Sequence, residues 1–287
     1  MSLRPQWLPK PASVRRRIAV ATWRPSKDGR IYARIVVDAS RLMTYLPEVR
    51  ERTGQRVTVT HVVGAALARA IEAVPEVRAR VVLGRIMPVP SCDIGFAVDV
   101  EGGRDLAPIK VHDVHRLSPA EVAHALSGGA RKLRAGQDPA YRRSSRLVSM
   151  APTWALRPMI AATSFFAGGL GVGAMGQPGF PLGTAFVSNV GSLGLEEGYL
   201  APIPFARVPL YIAVGAVQDA PTVVDGQVAV RPQLVLGATA DHRLIDGAHA
   251  GKVATALRHL LEHPERMDSP VAGTDGLTTP VSLTQDA

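Results

Sequence analysis

The sequence predicts a single α/β domain, and three observations lead there. Segments that alternate as half-buried strands are interleaved with segments apolar at helical spacing. No internal repeat or long polar linker divides the chain. Its 287 residues, 46% hydrophobic and 20% charged, supply one full core without a disulfide or metal staple.

Residues 1–13 read as an extended basic arm, because Pro5, Pro9 and Pro11 rule out an amphipathic helix and there is no apolar run of a signal peptide. "IYARIVVD" (31–38) alternates as a strand, and "ASRLMTYLPEVRERTG" then reads as a helix with a Gly stop. "VTHVVGAALARAIEAVPE" places Val63, Ala66, Leu67, Ala70 and Ala73 at helical spacing, with Pro75 as terminator. "CDIGFAVDV" and "LAPIKV" are two strands around a turn at Glu101–Arg104. Ser118, Pro119 and Glu121 form a capping box with proline at the first helical position, so a helix starts at 119.

An apolar, glycine-rich insert spans about 140–182. Its charge-free stretch Met159–Val187 has the length of a membrane span, but seven glycines and two prolines favour a buried helix and loop, so no membrane association is expected. Four apolar runs follow as strand candidates, "GTAFVSN", "PLYIAVGAV", "QVAV" and "QLVLGAT", with a turn at Asp225-Gly226. A last amphipathic helix, 248–263, buries Val253, Leu257, Leu260 and Leu261. Residues 268–287, rich in Ser, Thr, Gly and Asp, are expected to be a disordered tail.

The formal charge is +9, and the first acid, Asp28, follows seven basic residues. That balance suits an anionic partner. With no zinc-finger, RNA-binding or helix-turn-helix signature, a phosphorylated small ligand is expected rather than nucleic acid. The single cysteine, Cys92, excludes an internal disulfide framework and a cysteine-based structural zinc site. No metal site is expected, and a cytoplasmic location fits this cysteine usage.

The chemistry concentrates in Asp241-His242-Arg243-Leu244-Ile245-Asp246-Gly247, a strand-to-helix loop. Imidazole both accepts and returns a proton near neutral pH, which makes His242 a candidate general base. Asp246 alone would be a helix N-cap. The other seven histidines are expected to be ordinary solvated groups.

"DHRLIDGAHAGKVATALRHLLEHPERM" (241–267) resembles the C-terminal motif of the dihydrolipoamide acyltransferase catalytic domain of 2-oxoacid dehydrogenase complexes, whose fold is shared with chloramphenicol acetyltransferase. "GTAFVSNVGSLG" (183–194), "DIGFAVDVEGGRDLAPIKV" (93–111) and "RRRIA" (15–19) resemble further segments of the same family, so the likeness runs over about 14–267 outside the insert. It implies a chloramphenicol acetyltransferase-like two-layer sandwich of mixed sheet and helices, assembled as a homotrimer. It further implies a coenzyme A-dependent acyl transfer with His242 as base, Ser188 as oxyanion donor, and Asp246 held to Arg15 as a structural anchor of the histidine loop. Coenzyme A would be the substrate thiol. No lipoyl or subunit-binding domain is expected within this sequence, so a lipoyl group on a separate carrier protein, or dehydrogenase subunits, would be the partners. The family's second entry arginine is replaced at Ala21, and Arg78 stands where the family usually has asparagine. A higher cage is not favoured, since the chain ends in a long polar segment. Two rival readings stand beside this one: acylation of a small soluble acceptor, and a non-catalytic trimeric scaffold.

Overall fold

Strands whose alternate residues are apolar bury one face against amphipathic helices, and here that pattern builds two layers. The computed structural model describes residues 29–99, 106–135, 148, 150–203 and 205–268. In chain order the elements are β1 (Arg30–Asp38), α1 (Ser40–Thr53), α2 (Val59–Glu72), β2 (Ala79–Val82), β3 (Arg85–Pro88), β4 (Ile94–Asp99), β5 (Leu106–Val111), α3 (Pro119–Arg134), α4 (Thr153–Thr163), β6 (Ala185–Asn189), β7 (Leu210–Val224), β8 (Gln227–Asp241) and α5 (Gly247–Glu262). Six strands form a mixed sheet in the order β1-β8-β7-β6-β4-β5, in which β6 runs parallel to β4 and β7 and the other pairs are antiparallel. β2 and β3 form a separate hairpin.

Alternation assigns the two faces. Ile35 and Val37 of β1, Leu234 and Leu236 of β8, Ile212 and Val214 of β7, Ala185 and Val187 of β6, and Ile94 and Phe96 of β4 join α1, α2, α3 and α5 in the main core. The opposite face carries a smaller cluster of Leu182, Phe186, Ala206, Val208 and Tyr211. A strap of chain, 195–203, crosses that face: Leu195 O accepts from Ala216 N at 3.0 Å, and the Tyr211 hydroxyl accepts from Ile203 N at 2.9 Å. Arg34 Nε donates to Glu197 Oε2 at 2.7 Å, and Tyr32 meets Tyr199 edge-on at 5.6 Å.

The predicted cap of α3 is present: Ser118 Oγ accepts from Glu121 N, and Glu121 Oε2 accepts from Ser118 N at 2.7 Å. Three expectations are corrected. The last two apolar runs are not separate strands but one 15-residue strand, β8, because pairing with β7 continues through the residues that join them, from Val230 opposite Pro221 to Gln233 opposite Gln218. His61 is not solvated; it completes the N-terminal capping box of α2 with Thr58, and burial lowers its pKa to about 4. Asp268, expected to open the loose tail, is held by the Tyr45 hydroxyl at 2.6 Å and by Arg52. The turn at Glu101–Arg104 lies outside the described residues.

Within the insert, α4 carries Pro158 and gives way to a π-helix, Ser164–Leu170. This part packs on the protein through Arg80, whose side chain is 1% exposed. Its guanidinium donates to the carbonyls of Gly168, Gly183 and Ala206 and lies 4.6 Å over the Phe180 ring. Burial lowers the Arg80 pKa to about 10, so the group stays charged near neutral pH. No helix among the described residues is long and apolar enough to cross a membrane.

Gly237 of β8 lies directly under the strap, and a Cβ there would overlap the Gly198 carbonyl oxygen. Gly237→Ala is therefore expected to displace the strap and cost about 1–3 kcal/mol, the range for overpacking. Urea unfolding reads this as a lowered midpoint, and an unchanged midpoint would show that the strap does not bear on the sheet.

Candidate active site

β8 ends at Asp241 and α5 begins at Gly247, so a five-residue loop must turn the chain from the sheet edge into a helix. Backbone bonds fix its path: Ile245 N and Leu244 N donate to Asp241 O at 2.9 and 3.0 Å, and His242 N donates to Gly29 O at 2.8 Å. Leu244 and Ile245 are buried in the main core, which anchors the loop from below. Asp241 anchors it from the side, accepting from Arg243 Nε at 2.9 Å, Arg243 Nη2 at 2.6 Å and Arg243 N at 3.1 Å. Burial works to raise the Asp241 carboxyl, but the Arg243 hydrogen bonds and the Arg243 and Arg30 charges outweigh it and hold the group below the usual range.

The ring of His242 stands exposed at the surface of the chain, with Nδ1 3.0 Å from the Ile245 carbonyl oxygen. A carbonyl only accepts, so the ring proton sits on Nδ1 and Nε2 keeps its lone pair. The loop thereby presents imidazole in the tautomer of a base.

Asp246 is the N-cap of α5: its Oδ1 accepts from His249 N at 2.9 Å, and His249 Nδ1 lies 2.8 Å from the same oxygen. The His249 backbone N–H, above all, holds the Asp246 carboxyl below the usual range. The local reading of Asp246 as a cap is thus realised, while Arg15, the partner implied by resemblance, lies outside the described residues.

Ser188 sits near the end of β6, 9% exposed, and by alternation it shares the face of Phe186, opposite the helices. The sequence reading gave no role to Asn189, yet this side chain fixes the strand end: Nδ2 donates to Thr60 Oγ1 at 2.8 Å, and Oδ1 accepts from Ser192 N at 2.9 Å. Asn189 stands inside the quoted segment, so its signal was present in the sequence.

The structure does not bring Ser188 and His242 together within one chain. Ser188 is level with Ala213, and Ala213 with Gly237, so Ser188 lies two strands away from β8 and four residues short of Asp241. Strand spacings of ~4.8 Å and a rise of ~3.3 Å per residue separate it from that end of β8 by roughly 16 Å.

The Asp241–Arg243 contact has a signed pH consequence. A carboxyl whose folded pKa is depressed adds stability that is fully present above its ordinary value of about 3.9 and is lost as pH falls through the lower folded value. Arg243→Gln leaves burial to raise Asp241, so the acid-unfolding midpoint followed by circular dichroism is expected to move to higher pH. An unmoved midpoint would mean that the pair does not stabilise the loop.

Against this geometry, the family model for 2-oxoacid dehydrogenases acyltransferase (catalytic domain) matches residues 12–140 and 177–268, leaving out most of the insert. The acetyltransferase component of the acetoin cleaving system of Bacillus subtilis is 27% identical over 219 residues, 76% of this chain and 44% of that protein. The acetyltransferase component of the Zymomonas mobilis pyruvate dehydrogenase complex is 24% identical over 82% of this chain and 44% of its own length. The chain thus spans less than half the length of these curated relatives. Among solved structures, a probable dihydrolipoamide acetyltransferase from Listeria monocytogenes superposes with a TM-score of 0.67 at 18% identity, over 94% of this chain and all of that one. The dihydrolipoamide acetyltransferase of Azotobacter vinelandii gives 0.62 at 20% identity over 84% of each chain. With the family model matched over most of its length, the chain belongs to the acyltransferase catalytic-domain family of the 2-oxoacid dehydrogenases.

Proposed function

We propose that the chain transfers an acyl group between a lipoyl-type thiol on a separate carrier and coenzyme A, at a site built from His242 of one subunit and Ser188 of its neighbour. The observation that carries this reading is the hydrogen bond from His242 Nδ1 to the Ile245 carbonyl, which leaves Nε2 free to accept a proton. A thiol with a pKa of about 8.5 is mostly protonated at neutral pH, so Nε2 takes the coenzyme A proton as sulfur attacks the acyl thioester carbonyl. The oxyanion that forms accepts a hydrogen bond from Ser188 Oγ. Collapse breaks the bond to the lipoyl sulfur, which leaves as a thiolate and recovers the proton from Nε2. The new acyl–sulfur bond is to coenzyme A, and His242 returns to its starting state.

Three facts support this reading. The Azotobacter vinelandii enzyme has been studied for the roles in its mechanism of a serine, a histidine and an asparagine four residues beyond the histidine. In this chain Asp246 stands four residues beyond His242. His242 is exposed and roughly 16 Å of sheet separates its strand end from Ser188, so a site that uses both would draw them from two subunits. The hairpin of β7 and β8 also projects beyond β1 with Val223, Val228 and Val230 at 70–78% exposure, an apolar arm suited to a neighbouring subunit of a closed trimer.

The test is transfer between dihydrolipoamide and a panel of acyl-coenzyme A thioesters. His242→Ala is expected to lower turnover by about 10² to 10⁴ without altering thermal unfolding. Turnover equal to wild type would remove the histidine from the chemistry. Ser188→Ala is expected to lower kcat by ~10² or more. A rise in KM with kcat unchanged would make Ser188 a binding residue instead. Transfer to small free thiols in preference to dihydrolipoamide would favour a soluble acceptor.

A further inference from the structure

Away from the histidine loop, the end of α2, the entry to β4 and the short helix after β5 converge, and each brings one metal-ligand side chain to the junction. Glu72 is the last residue of α2, Cys92 lies two residues before β4, and His115 is in the 3₁₀ turn Val114–Arg116. One ligand atom from each of Glu72, Cys92 and His115 lies within 4.8 Å of the others. We infer that these three side chains form a binding site for a soft divalent transition metal of the zinc class.

The chemistry of the set matches that ion. Thiolate, imidazole and carboxylate are the three ligand types of protein-bound zinc, and the sulfur disfavours calcium and magnesium. Bonds of 2.0–2.3 Å place tetrahedral ligands roughly 3.4–3.8 Å apart, so from separations within 4.8 Å the three atoms need close by no more than about 1.4 Å. His115 Nδ1 is buried without a hydrogen-bond partner. Glu72 Oε2 lies 2.9 Å from Arg78 Nη1 but without hydrogen-bond alignment. Arg78 then serves as the outer cation that orients the carboxylate. The junction is at the C-terminal end of α2, where the helix dipole favours positive charge. A thiolate, a carboxylate and a neutral imidazole also balance the charge of a divalent ion, and the partly exposed Glu72 and His115 leave room for water as a fourth ligand.

Binding moves protons but no electrons. The Cys92 thiol, which burial pushes up to about 12 and which now donates to Ala68 O at 3.4 Å, loses its proton to solvent as the sulfur–metal bond forms. The ring proton of His115 passes to Nε2, and the exposed Arg116, whose Nε donates to that atom at 3.2 Å, turns to water. Positions 72, 92 and 115 form no recognisable spacing motif, which is why the sequence points to no metal.

The experiment titrates tag-free full-length protein with Co²⁺ and then with Zn²⁺, followed by absorption. Cys92 is the only cysteine, so a thiolate-to-cobalt charge-transfer band reports this sulfur and no other. The expected result is one Co²⁺ per chain with that band, bleached by Zn²⁺, and weakened by ~10²-fold or more in affinity in His115→Gln. Glu72→Gln replaces that variant if His115→Gln fails to fold. Absence of Co²⁺ binding, binding without the sulfur band, or full affinity in the folded ligand variant would each overturn the inference.

Discussion

β8 is hydrogen-bonded on both sides, to β1 from Gln233 to Asp241 and to β7 over nearly its whole length. Its even-numbered residues Leu234, Leu236, Ala238 and Ala240 all enter the main core, so a slip of one residue would expose every one of them. This register fixes where the strand ends, and therefore where Asp241 and His242 are delivered. The same sheet sets β6 two strands away and places Ser188 on the face opposite the helices. The location of each candidate chemical group is thus a consequence of pairing, and the loop itself adds only local orientation.

That local orientation is made of inexpensive parts. Leu244 and Ile245 are apolar anchors, Asp241 accepts from Arg243, and Asp246 caps α5. Together they hold the chain in the turn that brings the Ile245 carbonyl to His242 Nδ1. A free histidine divides its proton between two nitrogens, whereas here one is committed to a carbonyl and the other is open, which presents the ring in the tautomer of a base. The family to which the chain belongs gives this arrangement a chemical context, and the exposure of His242 leaves its ring open to solvent or to a neighbouring molecule.

Features set by neighbouring residues were legible in the sequence. The Ser118–Glu121 capping box and the Asp225-Gly226 turn are local, and both occur where the pattern placed them, the turn with φ of 51° and 79°. The β2–β3 hairpin has the same left-handed turn at Leu83-Gly84, φ 50° and 75°, but leucine carries no turn signal and the hairpin was not foreseen. The partial burial of His61, the reach of Arg80 to three carbonyls 88 to 126 residues away, and the convergence at Glu72, Cys92 and His115 depend on packing of distant segments. No local pattern encodes them. The two motifs holding Ser188 and His242 were visible, and the family resemblance already implied that they act from neighbouring subunits; what the strand register adds is how far apart one chain holds them.

The central claim is that the two groups act across a subunit boundary, and complementation tests it most directly. His242→Ala and Ser188→Ala chains, each expected to have lost most activity, are refolded together and the mixed oligomers are verified by mass. Some interfaces then pair an intact histidine with an intact serine, so dihydrolipoamide acyl transfer is predicted to return. Confirmed subunit exchange with activity no higher than that of the single variants would contradict a shared site and confine the chemistry to one chain.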